Sequence, residues 1–488
     1  MTKSKIHIPE TLRKFNAIFE ARNFKAYLVG GAVRDIFLGK TPSDWDVATN
    51  ATPQDVMSMF RFVVPTGIEH GTVTVHFMHE EIEVTTFRTE SGYSDGRRPD
   101  SVNYAATIEE DLSRRDFTMN AIAVSLADGS VTDPYGGRAD IKNRIIRTVG
   151  CAHERFMEDG LRPIRAVRFS GSLGFSIEKL TYKELFNSDV QQKTASISSE
   201  RFRDELEKII ITAKPSASLG ILEETGILWL FIPEFRACRG CVQADRRAFH
   251  KFDVLDHLFY SCDGAAKITE QNDRKSKLII RLAALFHDIG KPEVRKIVLQ
   301  DVMDESGVKK SAETITFYNH ESAGERITGK LMARLKFSNE MTGAVCHLVR
   351  EHMFHYESAW SDVAVRRFII RVRPDCIDDL FALRLSDMFG MRNDDLDLRG
   401  SEQVRLLDEL RGRISAVMES RSALSLKDLA VNGRDLIAMG IPPGKKIGVI
   451  LNELMSCVIE DPQMNTRERL LEVAKKISGE YNKMDERD

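Results

Sequence analysis

The texture of the chain changes near residue 150, and this limits the folds open to it. Before that point, β-branched runs over 26–29, 71–77, 82–87 and 121–125 alternate with turns and short helical stretches, the pattern of a sheet covered by helices. Beyond it, apolar residues recur at three- and four-residue steps among many charges, as from Glu154 to Phe175 and from Glu200 to Thr212, which is helical periodicity. An α+β chain is expected, with one N-terminal sheet domain and all-helical domains after it. A single core stops growing at roughly 250–300 residues, so 488 residues require several. Boundaries are expected near 150, at Ala213-Lys214-Pro215, and near 400, where Arg392-Asn-Asp-Asp-Leu-Asp-Leu-Arg399 reads as a solvated connection. The domains are then 1–150, 151–215, 216–400 and 401–488. Residues 299–318, with Gly307 between charged runs, read as an exposed hairpin insertion.

Composition removes several classes of function. No apolar run approaches the roughly 20 residues that cross a bilayer, and the start MTKSKIHIPE lacks the apolar stretch of a signal peptide, so no membrane partner and a cytoplasmic location are expected. Seven scattered cysteines argue for reduced thiols rather than a disulfide framework. Cys238-Arg-Gly-Cys241 is the one close pair and reads as two ordinary thiols in a turn. A formal net charge of −3 leaves any nucleic-acid contact to local basic patches.

The chemistry begins at Leu28-Val-Gly-Gly-Ala-Val-Arg-Asp35, followed by Ser43-Asp-Trp-Asp-Val-Ala-Thr49. Gly30 and Gly31, between a strand and a helix, allow close backbone approach, so amides at the helix start can hold a triphosphate. Asp44 and Asp46, two residues apart on an expected strand, point to one face and can bridge a pair of Mg²⁺ ions, as in-line phosphoryl transfer requires. Glu83, in the next expected strand with matching alternation, is the candidate third carboxylate.

Gly30-Gly31-x-x-Arg34-Asp35 with Asp44-x-Asp46 resembles motif A of the polymerase-β-like class II tRNA nucleotidyltransferases and bacterial poly(A) polymerases. Arg114-Arg-Asp-Phe-Thr-Met-Asn-Ala-Ile-Ala123 is similar to the second motif of that family. The resemblance implies that Arg115 and Asp116 contact the ribose and phosphates of an incoming nucleotide, with Asn120 supporting them. Asp133-Pro-Tyr-Gly-Gly-Arg-Ala-Asp140 resembles the third motif, a turn joining head to neck, and reads equally well as an ordinary turn. The implied architecture is a polymerase-β-like head followed by a helical neck, an HD-type body and a tail.

Glu158, Asp159 and Arg162 form an E-D-x-x-R pattern. On a continuous helix Asp159 and Arg162 would share one face, a carboxylate acceptor beside a guanidinium donor. The resemblance implies that this pair reads C or A directly, so that protein replaces a template. Arg165 and Arg168 extend the basic face toward phosphates, and Pro163 is expected to loosen or kink the first turn. The polar stretch Arg88–Tyr104 resembles the flexible loop that family members need for the final A, which favours full CCA addition.

A second constellation, His257, His287-Asp288, His320, His352 and Asp387, looks like an HD-type phosphohydrolase domain. Imidazoles with a bridging carboxylate suit one or two transition-metal ions. Such a domain acts either as a hydrolase or as a degenerate scaffold supporting tRNA, and both readings stay open. His347, outside the pattern, reads as structural. In the tail, Gly440 and Gly444 flank a Pro-Pro turn that presents Lys445 and Lys446 at a helix start, suited to a phosphate backbone. Taken together, the resemblance implies a CCA-adding tRNA nucleotidyltransferase with tRNA, CTP and ATP as partners. The alternatives are a poly(A) polymerase, a CC- or A-only enzyme, and an RNA-binding HD protein with a vestigial head. The oligomeric state is left open.

Overall fold

Strands Ala26–Val29 (β1), Trp45–Thr49 (β2), Val63–Gly67 (β3), Thr72–Phe77 (β4) and Glu80–Thr86 (β5) form a sheet in the computed structural model. After the hairpin Arg88–Ser91 (β6) and Ser101–Tyr104 (β7), strands Ala123–Ser125 (β8) and Val131–Thr132 (β9) complete it, in the order β3-β4-β5-β2-β1-β8-β9. The structure describes residues 5–68, 71–91, 101–243, 251–303, 309–391, 401–419 and 425–485. The expected connection over 392–399 therefore lies outside the described residues, as does the middle of the loop between Arg88 and Tyr104. The ends of that loop pair as β6 and β7.

Alternation explains the sheet. In β4, Val73 and Val75 are buried while Thr72 and Thr74 are half-exposed, and in β5 Ile82, Val84 and Thr86 are buried while Glu81 and Glu83 face outward. Fully burying such an aliphatic side chain contributes about 1.5–3 kcal/mol. Pro65 falls on the edge strand β3, where a missing N–H breaks no ladder bond. The strands pair antiparallel except β2 and β5, which run parallel and set Asp46 opposite Glu83. Helix Glu10–Glu20 buries Leu12, Phe15 and Phe19, the last two meeting Phe60 at 4.8 and 5.5 Å between ring centres.

The helix expected over 154–175 is two helices, Ala152–Glu158 and Arg162–Leu173. Asp159 is extended, with φ −142° and ψ 113°. Two causes act here. Pro163 has no N–H to give the Asp159 carbonyl, and Gly160 lies so close to a neighbouring turn that a Cβ would stand 2.4 Å from the Lys193 carbonyl oxygen. Pro163 thus sits in the first turn of the second helix, where proline is tolerated, rather than kinking a continuous one.

The described residues cluster into two compact units, Met1–Ala237 with Lys330–Asn339, and Cys238–Gly329 with Glu340–Asp488. In the second, helices Val254–Ile268, Arg274–Phe286 and Ile377–Gly390 pack together, the first two capped by Asp253 and Asp273. An antiparallel hairpin, Lys296–Met303 with Lys309–Thr316, stands at the expected insertion. Leu429, Leu436, Ile450, Leu454 and Leu470 form a separate core in the tail. Arg366 ties that core to the rest of its unit by donating to the carbonyls of Ile459 and Glu460 at 2.7 and 3.3 Å.

Candidate active site

Asp46 and Glu83 are directly opposed on β2 and β5, which puts their carboxyl groups on one face. Both line a cleft of about 370 Å³. Burial, then the charge of neighbouring Asp44, raises the pKa of Asp46, although Arg115 and Arg34 pull it down. Burial and the charge of Asp46 raise that of Glu83. Asp44 is not a strand residue as expected. It lies in the exposed bend before β2 and accepts from Ser43 Oγ at 2.9 Å. Three carboxyl groups whose charges oppose one another fit a divalent cation. Gly30 makes the crowding tolerable: its φ is +68°, and a Cβ there would stand 3.1 Å from Asp46 Oδ2 and 3.2 Å from Arg115 Nη1.

The second motif turns through a short 3₁₀ segment, Thr118–Asn120, and builds a chain of charge-assisted bonds. Arg34 Nη1 donates to Asn120 Oδ1 at 3.2 Å, and Asn120 Nδ2 donates to Asp116 Oδ1 at 3.1 Å. Asp116 Oδ2 accepts from Arg165 Nε and Nη2 at 2.9 and 2.6 Å. Although burial opposes the ionised form, Arg165 and Asn120 hold the Asp116 carboxyl at about 2. Arg115 Nη2 donates to buried Asp111 at 3.1 Å. The sequence reading missed Asp111, whose partners Arg114 and Arg115 lie one helical turn away.

Asp159 and Arg162 both line the same cleft, from the break between two helices rather than from one helical face. Arg162 is buried. It pairs with Glu158 and donates to the carbonyls of Arg155 and Arg114, each at 3.0 Å. Asp159 accepts from the Leu161 amide at 2.9 Å and from Arg201 through both oxygens, at 3.0 and 2.7 Å. Arg168 pairs with buried Glu205 at 2.5 Å. Arg201 and Glu205, both on helix Ser199–Ile210, were also missed, because a charged position in an amphipathic helix carries no local sign of which way it faces. Arg88, Arg114 and Arg201 complete the basic lining.

In the second unit the six HD residues meet, all buried. His257 Nε2 lies 3.2 Å from Asp387 Oδ1 and 3.3 Å from Asp288 Oδ2, and His287 Nε2 lies 3.3 Å from the same Asp288 oxygen. The other Asp288 oxygen, Oδ1, is 3.2 Å from His320 Nε2 and 3.6 Å from His352 Nε2. Asp288 therefore divides its two oxygens between two pairs of imidazoles, which gives two metal-sized groups: His257, His287 and Asp387, and Asp288, His320 and His352. His287, His320 and His352 each turn Nδ1 to a backbone carbonyl, at 2.9, 2.8 and 2.7 Å, which aims Nε2 inward. Burial disfavours a charged His287, yet Asp288 and Asp387 raise it to about 10, whereas burial and the neighbouring imidazoles lower His352. Lys291, not anticipated, is paired to Asp288 at 2.5 Å and to Gln243 at 2.6 Å. His320 and His352 open onto a cavity of about 800 Å³.

Lys445 begins the helix Lys445–Glu460 with Gly444 before it, and Lys446 follows. His347 Nε2 meets the Val372 carbonyl at 2.8 Å, a packing role. Cys238 and Cys241 are buried free thiols, both raised by burial. No helix among the described residues is long and apolar enough to cross a membrane.

Four family models match in sequence: a poly A polymerase head domain over 26–147, a polymerase A region named for RNA and SrmB binding over 174–238, an HD domain over 254–400, and tRNA nucleotidyltransferase domain 2 over 400–474. The CCA-adding enzyme of Lactiplantibacillus plantarum is 48% identical over 215 residues, 44% of this chain and 52% of that protein. Against it and similarly matched relatives, the chain spans about half their length. The CCA-adding enzyme of Levilactobacillus brevis is 30% identical over 469 residues, 95% of this chain and 98% of that one. Among solved structures, the Bacillus stearothermophilus CCA-adding enzyme in complex with CTP matches with a TM-score of 0.68 and 26% identity, over 97% of this chain and 98% of that one. The Thermotoga maritima CCA-adding enzyme complexed with tRNA shares the fold at a TM-score of 0.53 and 18% identity, over 96% and 94%. With a head built around opposed carboxylates, an HD body, and a relative aligned from end to end, the chain belongs to the CCA-adding enzyme family.

Proposed function

We propose that this chain adds the CCA triplet to the 3′ end of tRNA in the cytoplasm, transferring CMP, CMP and AMP from CTP and ATP without a nucleic-acid template. The observation that carries this reading is a single cleft holding Asp46 and Glu83 together with Asp159, Arg162 and Arg201, so that chemistry and base choice share one chamber. Asp46, Glu83 and Asp44 would hold two Mg²⁺ ions, which supply acidity to the attacking hydroxyl and neutralise the leaving pyrophosphate. Arg34, Arg115 and Arg165 bring positive charge to the triphosphate, and Gly30 and Gly31 keep the backbone near it. Asp159 accepts from the exocyclic amine that cytosine and adenine share, while Arg162, whose guanidinium has five donors, gives one to the ring nitrogen. Guanine and uracil present a carbonyl where the amine would be and a donor where the acceptor would be, so they are rejected.

In this reading residues 1–150 carry the transfer chemistry and 151–215 the base choice. The body over 216–400 and the tail over 401–488, with Lys445 and Lys446, hold the tRNA. The decisive assay offers purified protein tRNA transcripts that lack CCA, end in CC, or are complete, with each labelled nucleoside triphosphate in turn. Addition of C, C and A followed by a stop supports the proposal. Unlimited A addition favours a poly(A) polymerase, a stop after CC or addition of A alone a partial enzyme, and no incorporation a vestigial head.

We also propose a metal-dependent phosphohydrolase centre at the HD cluster, because Asp288 splits its oxygens between two imidazole pairs beside a cavity that Lys291, Arg350, Arg371 and Arg384 also line. Metal analysis of the purified protein, with turnover of a generic phosphodiester, tests it.

A further inference from the structure

Three guanidinium groups converge on one ring. The Arg168 carbon Cζ stands 3.8 Å from the centre of Phe169, and those of Arg34 and Arg165 each stand 5.4 Å from it. Arg34 comes from helix Gly30–Phe37 of the head, Arg165 and Arg168 from helix Arg162–Leu173 of the neck. Phe169 is 5% exposed, and Phe117 meets its ring at 85° with centres 5.8 Å apart, so the ring is fixed in place.

The contacts close a loop. Arg34 donates to Asn120, Asn120 to Asp116, and Arg165 to Asp116, while Arg34 and Arg165 both return to Phe169. Two like charges would otherwise separate. The negative face of an aromatic ring attracts each of them, and Asp116 and Glu205 supply the counter-charge. Remove the ring's electron density and only the Asn120–Asp116 side of the loop still joins Arg34 to Arg165, so their register loosens on the side that faces the ring.

We propose that Phe169 is a positioning residue for nucleotide binding: through cation–π contact it aligns a head arginine with a neck arginine, so that both face one triphosphate. The inference rests on the nucleotide-transfer reading of the cleft. Phe169 touches no reacting group itself, and it acts through Arg34 and Arg165.

The test replaces Phe169 in the full-length protein with mono-, di- and trifluorinated phenylalanine, which drains the ring face of negative charge at nearly constant size. The Kd for CTP is measured directly, alongside KM and kcat for incorporation into tRNA. The expected result is a stepwise rise in Kd and KM, about tenfold across the series, with kcat and the thermal midpoint little changed. Phe169→Leu is expected to bind CTP as weakly as the trifluorinated form. A flat Kd across the series would overturn the proposal and leave the ring as packing alone. Because Kd is read without turnover, an unsubstituted protein that incorporates nothing would count against the transfer reading, while the Kd trend would still decide the role of Phe169.

Discussion

One guanidinium, that of Arg201, takes both carboxylate oxygens of Asp159, at 3.0 and 2.7 Å. A fork of this kind fixes the plane of the carboxyl group as well as its charge. Lysine keeps the charge and loses the fork. Arg201→Lys is therefore expected to lower the preference for CTP and ATP over UTP and GTP by about tenfold, at a stability cost of about 1–2 kcal/mol. Incorporation of each labelled nucleotide into a defective tRNA measures the first and chemical denaturation the second. Unchanged discrimination would show that Asp159 needs no fixed plane.

The head carboxylates should trade stability for reactivity. Burial and mutual repulsion raise Asp46 and Glu83, so at neutral pH their ionised forms weaken the fold until a cation is present. Asp46→Asn is expected to raise the metal-free thermal midpoint by a few degrees while cutting nucleotide transfer about a thousandfold. Added Mg²⁺ should stabilise the parent protein more than the variant. A variant no more stable than its parent without metal would refute the repulsion argument.

Acid should act on Asp116 in the opposite sense. Its carboxyl lies at about 2 against an ordinary 3.8. The stabilisation this represents, about 2 kcal/mol, is fully present above the unfolded value and is lost as pH falls through the folded one. The difference in unfolding free energy between the parent and Asp116→Asn is thus expected to narrow from pH 4 toward pH 2, as read from denaturation curves across that range. A gap independent of pH would assign the loss to packing.

Substitution of Asp288 should separate the two sites. If the HD cluster holds transition metal, about two ions per chain are expected by elemental analysis, and Asp288→Asn is expected to lose both, since each pair of imidazoles meets one of its oxygens. Nucleotide addition by Asp288→Asn in Mg²⁺ should stay within about twofold of the parent. A variant that retains both ions would show that Asp288 bridges nothing.

How far the sequence reached depends on the range of each interaction. Strands β1, β2, β4, β5 and β8, the strand-to-helix turn at Gly30-Gly31 and the order of the six HD residues were legible because each depends on local pattern or motif, whereas the edge strands β3 and β9 were not anticipated. Glu83 was proposed from alternation alone, and its place opposite Asp46 follows from strand order. The break at Asp159 was not legible. Gly160 yields to a turn at Lys193, more than 30 positions away, and periodicity ran straight through it. Arg201 and Glu205 escaped for the same reason, since each gains its meaning only from a partner distant in the chain, whereas Lys291, one helical turn from Asp288, was within reach of local spacing.

The pairing of β2 with β5 also bears on how such a site changes over time. Asp46 and Glu83 meet because their strands lie side by side in one register, not because a fixed number of residues separates them. Residues 50–79, with the edge hairpin of β3 and β4, can gain or lose length at their turns without disturbing the two acids. A slip of a single residue within β5, however, would point Glu83 into the core and an apolar neighbour into the cleft. Lineages of this chain should therefore tolerate insertions beside the cleft far better than within either of the two strands that carry Asp46 and Glu83.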